Sequence, residues 1–214
     1  IDMADSGRYR LRKKDGDYDI YDYLVLATPS YVSGQLLQNI APDVSTLLKQ
    51  IPFANLAVVC QGYKISDIGR PVDGFGFLAP HNQNLDILGS IWTSIIFPEQ
   101  APKDAVLFRT MLGGARRNDI IELGENKLAE LSHDNLASIM KIGNRPVFEK
   151  VIIWRNAIPQ YTLGHRSRLR LLESQLHQFV NIHLAGNAYT GIGLNDTIKR
   201  SYQVSEKIYE SIKS

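Results

Sequence analysis

The sequence predicts an α+β chain, a mostly antiparallel sheet with helices set between two end segments that share one further layer. Three observations predict it. Strand-like runs at 54–63, 75–79, 86–95 and 105–112 are separated by Gly, Pro and Asn, the punctuation of strands joined by short returns. Apolar residues keep helical spacing from Glu125 to Lys141. Near each end an apolar strand, at 23–28 and at 180–185, runs into a helical pattern, so the two ends belong side by side.

The elements follow in order. Arg8–Arg12 and Tyr18–Ile20 flank an Asp15-Gly16 turn and read as a hairpin. Tyr23-Leu24-Val25-Leu26-Ala27-Thr28 is too apolar for a strand with one wet face and reads as a central strand covered on both faces. Helices are expected from about Ser30 to Gln38 and from about Pro42 to Gln50, the second with proline in its first turn. Beyond the sheet runs, Leu128, Leu131, Leu136, Ile139 and Met140 mark a helix and Val147–Trp154 a strand. Leu169, Leu172, Leu176 and Phe179 mark another helix. The chain closes with a strand at Val180–Ala185, a glycine-bearing turn, and a helix whose inner stripe is Ile198, Tyr202, Ser205, Ile208 and Ile212.

Composition narrows the function. Hydrophobic residues make up 44% of the 214, and 24 Lys and Arg stand against 22 Asp and Glu, which is a globular chain and not a nucleic-acid partner. The lone Cys60, inside Leu56-Ala57-Val58-Val59, excludes an intramolecular disulfide and a multi-cysteine metal site, suits a reducing compartment, and reads as a small buried hydrophobe. No apolar run approaches the roughly 20 residues of a spanning helix, and no export signal is present. Ile1 precedes the first methionine, Met3, so the start is expected to be internal to a longer gene product. The histidines His81, His133, His165, His177 and His183 lack metal-ligand spacing, and no Gly-x-Ser-x-Gly nucleophile turn occurs.

The most informative stretch runs from Ile182 to Asp196. Gly186, Gly191 and Gly193 let backbone approach a flat or anionic group, and the first amides of the closing helix point outward without partners of their own. Such an end suits the negative charge of a reduced flavin around N1 and the C2 carbonyl. The alternative is a turn in which the glycines serve only geometry and Asn195 or Asp196 caps the helix.

This closing segment resembles the flavin-contacting motif of the amine-oxidase-like flavoprotein superfamily. Further blocks resemble oxygen-dependent protoporphyrinogen oxidases in order and spacing: Gly74-Phe75-Gly76-Phe77-Leu78-Ala79-Pro80, Leu88-Gly89-Ser90-Ile91-Trp92, Gly113-Gly114-Ala115-Arg116, and Pro159-Gln160-Tyr161 with Gly164-His165. The resemblance implies the C-terminal part of a discontinuous Rossmann-like FAD-binding domain (1–32 and 160–214) around a substrate-binding domain (33–159). It implies FAD as cofactor and a six-electron oxidation of protoporphyrinogen IX by O2, with coproporphyrinogen III, or a cofactor-free binding module, as alternatives. Gly186, Asn187, Ile192, Gly193, Leu194 and Asp196 fall on the closing motif, with Ile192–Leu194 against the isoalloxazine. Trp154 falls where the family approaches the flavin, or else is a core tryptophan. Leu78, Ile91 and Met111 fall where the family sandwiches a pyrrole, or else are plain core, while Arg109, Arg116 and Arg117 suit propionates. His165 reads as a structural hydrogen-bonder.

Two departures matter. Thr197 stands where the motif often has cysteine, and no Gly-x-Gly-x-x-Gly turn with an acidic ribose partner is present. The chain alone is therefore expected to fold in its sheet region, hold no FAD and oxidise no porphyrinogen. The expected setting is cytoplasmic, with peripheral contact to the cytoplasmic membrane and a homodimer as open alternatives.

Overall fold

The computed structural model describes residues 1–213 and divides into two compact units, 1–52 with 159–214 and 53–158. The first unit begins with a three-stranded antiparallel sheet of β1 (Asp2–Met3), β2 (Tyr9–Arg12) and β3 (Tyr18–Tyr21), the last two paired Tyr9 to Tyr21 and Arg12 to Tyr18 across the expected Asp15-Gly16 turn. Tyr9 anchors this meander, because its buried hydroxyl donates to the Val180 carbonyl. Next come β4 (Leu24–Leu26), α1 (Ser30–Leu36) and α2 (Pro42–Lys49). The two helices are tied by the buried Ser45 hydroxyl, which donates to the Gly34 carbonyl at 2.6 Å. The units meet at 52/53 and 158/159, so these helices lie in the unit that holds both chain ends and not beyond a boundary at 32/33.

The second unit is a five-stranded sheet with one helix across it. Its strands are β5 (Phe53–Lys64), β6 (Gly76–Leu78), β7 (Ile87–Trp92), β8 (Ala105–Gly113) and β9 (Phe148–Pro159), in the order β6-β7-β8-β5-β9. The β6–β7, β7–β8 and β5–β8 pairs are antiparallel. The run expected as strand to residue 95 instead turns into α3 (Thr93–Ile96), where the Ser94 hydroxyl accepts the Leu107 amide at 2.9 Å. A side chain there takes the place of a ladder carbonyl, and the strand stops.

Helix α4 (Glu125–Met140) lays Leu128 and Leu136 on the sheet face that carries Val59, Phe108 and Leu112, all fully buried. Polar groups caught in this layer are paired, as burial demands. Gln61 donates to the Ala129 carbonyl (3.0 Å) and to Glu149 (2.7 Å) and accepts from Ser132 (2.8 Å). Tyr63 meets His133 Nδ1 at 3.0 Å. Burial raises the Tyr63 phenol and lowers the His133 imidazolium from their ordinary values, so both groups of this buried pair are held toward their neutral forms.

The first unit is completed by α5 (His165–Leu176), β10 (Ile182–Leu184) and α6 (Leu194–Lys213). β10 lies parallel to β4, with Leu24 opposite Ile182 and Leu26 opposite Leu184, so the two end strands come together as expected. Two expectations are corrected here. β4 is covered on one face only: Leu24 and Leu26 are buried while Val25 is 44% exposed in an open groove of about 480 Å³ beside Ile208 and Ile212. On α6 the inner stripe is set by Val204, the buried residue of that helix, whereas Ile198, Tyr202 and Ile212 are exposed. No helix among the described residues is long and apolar enough to cross a membrane.

Candidate functional site

In the first unit, β10 runs through a glycine-bearing turn into α6. The Gly193 carbonyl accepts the Thr197 amide at 3.0 Å and opens the helix. The amides of Leu194, Asn195 and Asp196 therefore have no partner four residues back, and Ile192, Gly193 and Leu194 beside them are exposed. Gly186 and Asn187, at the start of the turn, are half-buried. Asp196 folds back on the turn: a Cβ on Gly191, at φ +144°, would stand 2.3 Å from the Asp196 Cβ. Gly191 is thus needed for this close approach, and neither Asn195 nor Asp196 makes a capping hydrogen bond among the described residues.

The turn is held by a residue that sequence reasoning did not single out. The Tyr161 hydroxyl accepts the Gly191 amide at 2.8 Å and donates to the Asn187 carbonyl at 2.7 Å. Its ring stacks on His165, with centroids 4.1 Å apart and planes within 11°. His165, buried at the start of α5, reaches the Tyr189 carbonyl with Nε2 at 3.3 Å, the structural role expected of it. The Pro-Gln-Tyr and Gly-His blocks are therefore one clamp on the 187–191 turn. Burial and the Asp196 charge raise the Tyr161 phenol, and the Gly191 amide offsets part of that shift.

In the second unit, the sheet face turned away from α4 is open. Register places Leu78, Gly89, Met111 and Val58 in one row across four strands, with Ile91, Arg109 and Cys60 in the next row of the same face. Leu78 is 81% and Ile91 37% exposed, and Met111 is half-buried, so the core reading of these three is corrected. Both faces of the sheet are apolar, and α4 covers only one. Gly89 lies between Leu78 and Met111, and its neighbours close on it: a Cβ there would stand 2.4 Å from the Phe77 carbonyl oxygen and 3.3 Å from the Leu78 side chain. On β9, Val151 and Ile153 pack toward α4, so alternation turns Lys150, Ile152 and Trp154 to the open face. Trp154 is 55% exposed, which overturns its reading as a core tryptophan.

The strand positions on this face carry Arg109, Lys150 and Lys64 and no Asp or Glu. Cys60 is half-buried among them, not sealed in the core. Burial raises its thiol, while Arg109 and Lys150 pull it down by a smaller amount. Arg117 is already engaged, with Asp86 at 3.1 Å, and Arg116 is exposed. The arrangement offers an apolar plate with cations along one side.

Residues 1–208 match the family described as flavin containing amine oxidoreductase. The chain belongs to that family. It is 28% identical over 195 residues to a chloroplastic protoporphyrinogen oxidase of Nicotiana tabacum, covering 86% of this chain and 36% of that protein. Against protoporphyrinogen oxidase of Homo sapiens it is 28% identical over 218 residues, covering 97% and 44%. Against coproporphyrinogen III oxidase of Bacillus subtilis it is 26% identical over 178 residues, covering 83% and 37%. The chain thus spans less than half the length of these curated relatives.

Solved structures share the fold, and two of them illustrate it. One, from Exiguobacterium sp. 255-15 and provisionally identified as a protoporphyrinogen oxidase, superposes with a TM-score of 0.77 at 24% identity over 96% of this chain and 44% of its own. The other, cyclohexylamine oxidase from Brevibacterium oxydans, gives 0.66 at 14% over 96% and 47%.

The family's flavin fits the β10–α6 turn on the structure's own terms. Exposed residues at 192–194 and the amides of Leu194, Asn195 and Asp196, which meet no acceptor among the described residues, offer donors to an electron-rich ring edge at the start of a 20-residue helix, with the Asp196 carboxylate folded against Gly191 and Gly193 beside them.

Proposed function

We propose that the open sheet face holds a porphyrinogen and that the 186–196 turn holds the isoalloxazine of FAD, in an oxygen-dependent oxidase that converts protoporphyrinogen IX to protoporphyrin IX. One observation carries the reading: Leu78, Ile91, Met111 and Trp154 gather on one open, acid-free face with Arg109 and Lys150. A porphyrinogen presents apolar pyrroles and ionised propionates, and the face offers exposed apolar side chains with cations beside them. The relatives named for protoporphyrinogen oxidation support the same substrate class.

The chain's own residues position and do not exchange protons. Leu78 and Met111 flank one ring, and Arg109 and Lys150 receive carboxylates, the guanidinium in bidentate fashion. Ile192–Leu194 present backbone and the positive helix end to the flavin, and Tyr161 fixes that backbone. Bound flavin supplies the acceptor: each of three rounds removes two electrons and two protons from the macrocycle, and one O2 leaves as hydrogen peroxide. Most fixed contacts to a dinucleotide come from a Gly-x-Gly-x-x-Gly unit, so these 214 residues alone hold no FAD and turn over no porphyrinogen. Coproporphyrinogen III is the second reading, favoured by the Bacillus subtilis relative. Its four carboxylates would need cations on more than one side of the plate.

Titration of the chain with protoporphyrin IX tests the face directly. Trp92 is buried and Trp154 is exposed, so saturable quenching of the Trp154 emission is expected. It should weaken in Arg109→Gln, and coproporphyrin should bind less tightly. Absence of saturable quenching in a chain with native circular dichroism overturns the reading.

A further inference from the structure

We propose that Asn55, near the start of β5, is a positioning residue for the open sheet face of the second unit: its side chain holds the backbone that presents Trp154, and it acts on a bound porphyrin through Trp154. The role rests on the porphyrinogen reading of that face.

Trp154 stands on an edge strand. β9 ends the order β6-β7-β8-β5-β9, so among the described residues its ladder partner lies on one side only. Asn156, two residues past Trp154, has a φ of +50°, a left-handed conformation that asparagine tolerates better than most residues. Such a residue breaks the alternation of a strand. Trp154, Arg155 and Asn156 are accordingly exposed in succession, where a regular strand would turn the middle one inward.

Asn55 meets the amide of this irregular residue. Its Oδ1 accepts the Asn156 N–H at 2.8 Å, a side chain standing where a ladder carbonyl would. Asn55 is itself tied on other sides: its Nδ2 donates to the Asn118 carbonyl at 3.0 Å, its backbone N–H donates to Asn118 Oδ1, and its carbonyl accepts the Gly114 N–H at 2.8 Å. Gly113 passes that carbonyl only because it lacks a side chain, since a Cβ there would stand 2.7 Å from the oxygen. Asn55 is thus a fixed post to which the end of β9 is fastened. On the near side of Asn156, Arg155 donates to Glu122 at 2.6 Å, but both side chains are well exposed and water screens the pair. Without the Asn55 oxygen, residues 154–156 fray and the indole leaves its place on the face.

The test compares the indole N–H signals of the two tryptophans by NMR in the 214-residue chain, with the buried Trp92 as control. In Asn55→Ala with native circular dichroism, the heteronuclear NOE of the Trp154 indole should fall while that of Trp92 stays, and the Asn156 amide should exchange about 2- to 12-fold faster, the scale of one net hydrogen bond. Asn55→Ser, whose hydroxyl falls short of Asn156, takes its place if the alanine chain does not fold. Asn55→Asp keeps an oxygen for the Asn156 N–H and should restore both readings. Protoporphyrin IX affinity should fall about threefold or more in Asn55→Ala, and the same change made in a Trp154→Ala chain should lower it no further. An unchanged Trp154 NOE in the folded variant, or an Asn55→Asp chain as mobile as Asn55→Ala, overturns the hold on Trp154 whether or not porphyrin binds. Equal losses of affinity with and without Trp154 overturn the action through Trp154. A parent chain that binds no protoporphyrin overturns the porphyrinogen reading of the face, and the NOE and exchange readings then decide by themselves whether Asn55 positions Trp154.

Discussion

Replacing Tyr161 by Phe isolates the clamp on the flavin turn. The change removes one oxygen and keeps the ring that stacks on His165. Two hydrogen bonds are lost, at 2.8 Å from the Gly191 amide and 2.7 Å to the Asn187 carbonyl. Each is worth about 0.5–1.5 kcal/mol net, and both lie where water can partly replace them, so the turn should lose about 1–2 kcal/mol. That corresponds to roughly a 5- to 30-fold larger opening constant. Amide hydrogen exchange at Gly191 should accelerate by that factor, while the Val59 amide in the second unit stays unchanged. A Gly191 rate within about twofold of the parent's would show that Tyr161 does not hold the turn, and the clamp would have to be abandoned.

Other outcomes follow from particular contacts. Gly191→Ala places a Cβ 2.3 Å from that of Asp196 at φ +144°, and urea unfolding should show a loss of about 2 kcal/mol or more, partly recovered by adding Asp196→Gly. Gln61→Leu leaves the buried Ser132 hydroxyl without its acceptor and the Ala129 carbonyl without its side-chain donor, and should cost about 1–3 kcal/mol by the same measurement. Trp154→Ala should leave stability within about 0.5 kcal/mol, because the side chain is largely exposed, yet weaken protoporphyrin binding as judged by porphyrin emission. His133 has a folded value below the ordinary 6.5, so its contribution is full above about pH 6.5 and is lost as pH falls toward the folded value, where the unfolded chain binds the extra proton. The urea midpoint should therefore drop on acidification below pH 6.5, and His133→Gln should flatten that slope.

Alternation and spacing made the elements legible, and tertiary choices limited what they could say. The hairpin around Asp15-Gly16 and the helix of 125–140 follow from turn chemistry and periodicity, which are local, whereas the pairing of β4 with β10 was legible only from the order of elements at the two ends. Leu78, Ile91 and Met111 were named from a family resemblance. Their apolar character alone reads as core, because nothing local tells which face of a doubly apolar sheet a helix will cover. The same limit explains α6, where Val204 and not the stripe of Ile198 and Tyr202 turned inward. Tyr161 sat inside a recognised block, but its hydroxyl acts on residues 26 and 30 positions away, a relation no spacing rule encodes.

The parallel pairing of β4 with β10 orders the events of synthesis. Residues 53–158 form a contiguous unit, so it can close as soon as it leaves the ribosome. Leu24 must wait for Ile182, which arrives roughly 8–30 s later at ordinary elongation rates. Throughout that interval the Leu24 and Leu26 side chains and the β4 backbone have no sheet partner, and the nascent chain carries an apolar strand edge. The first unit is therefore the slow step in refolding, the part that sequence-distant closure delays most, and the segment on which a holding chaperone would act.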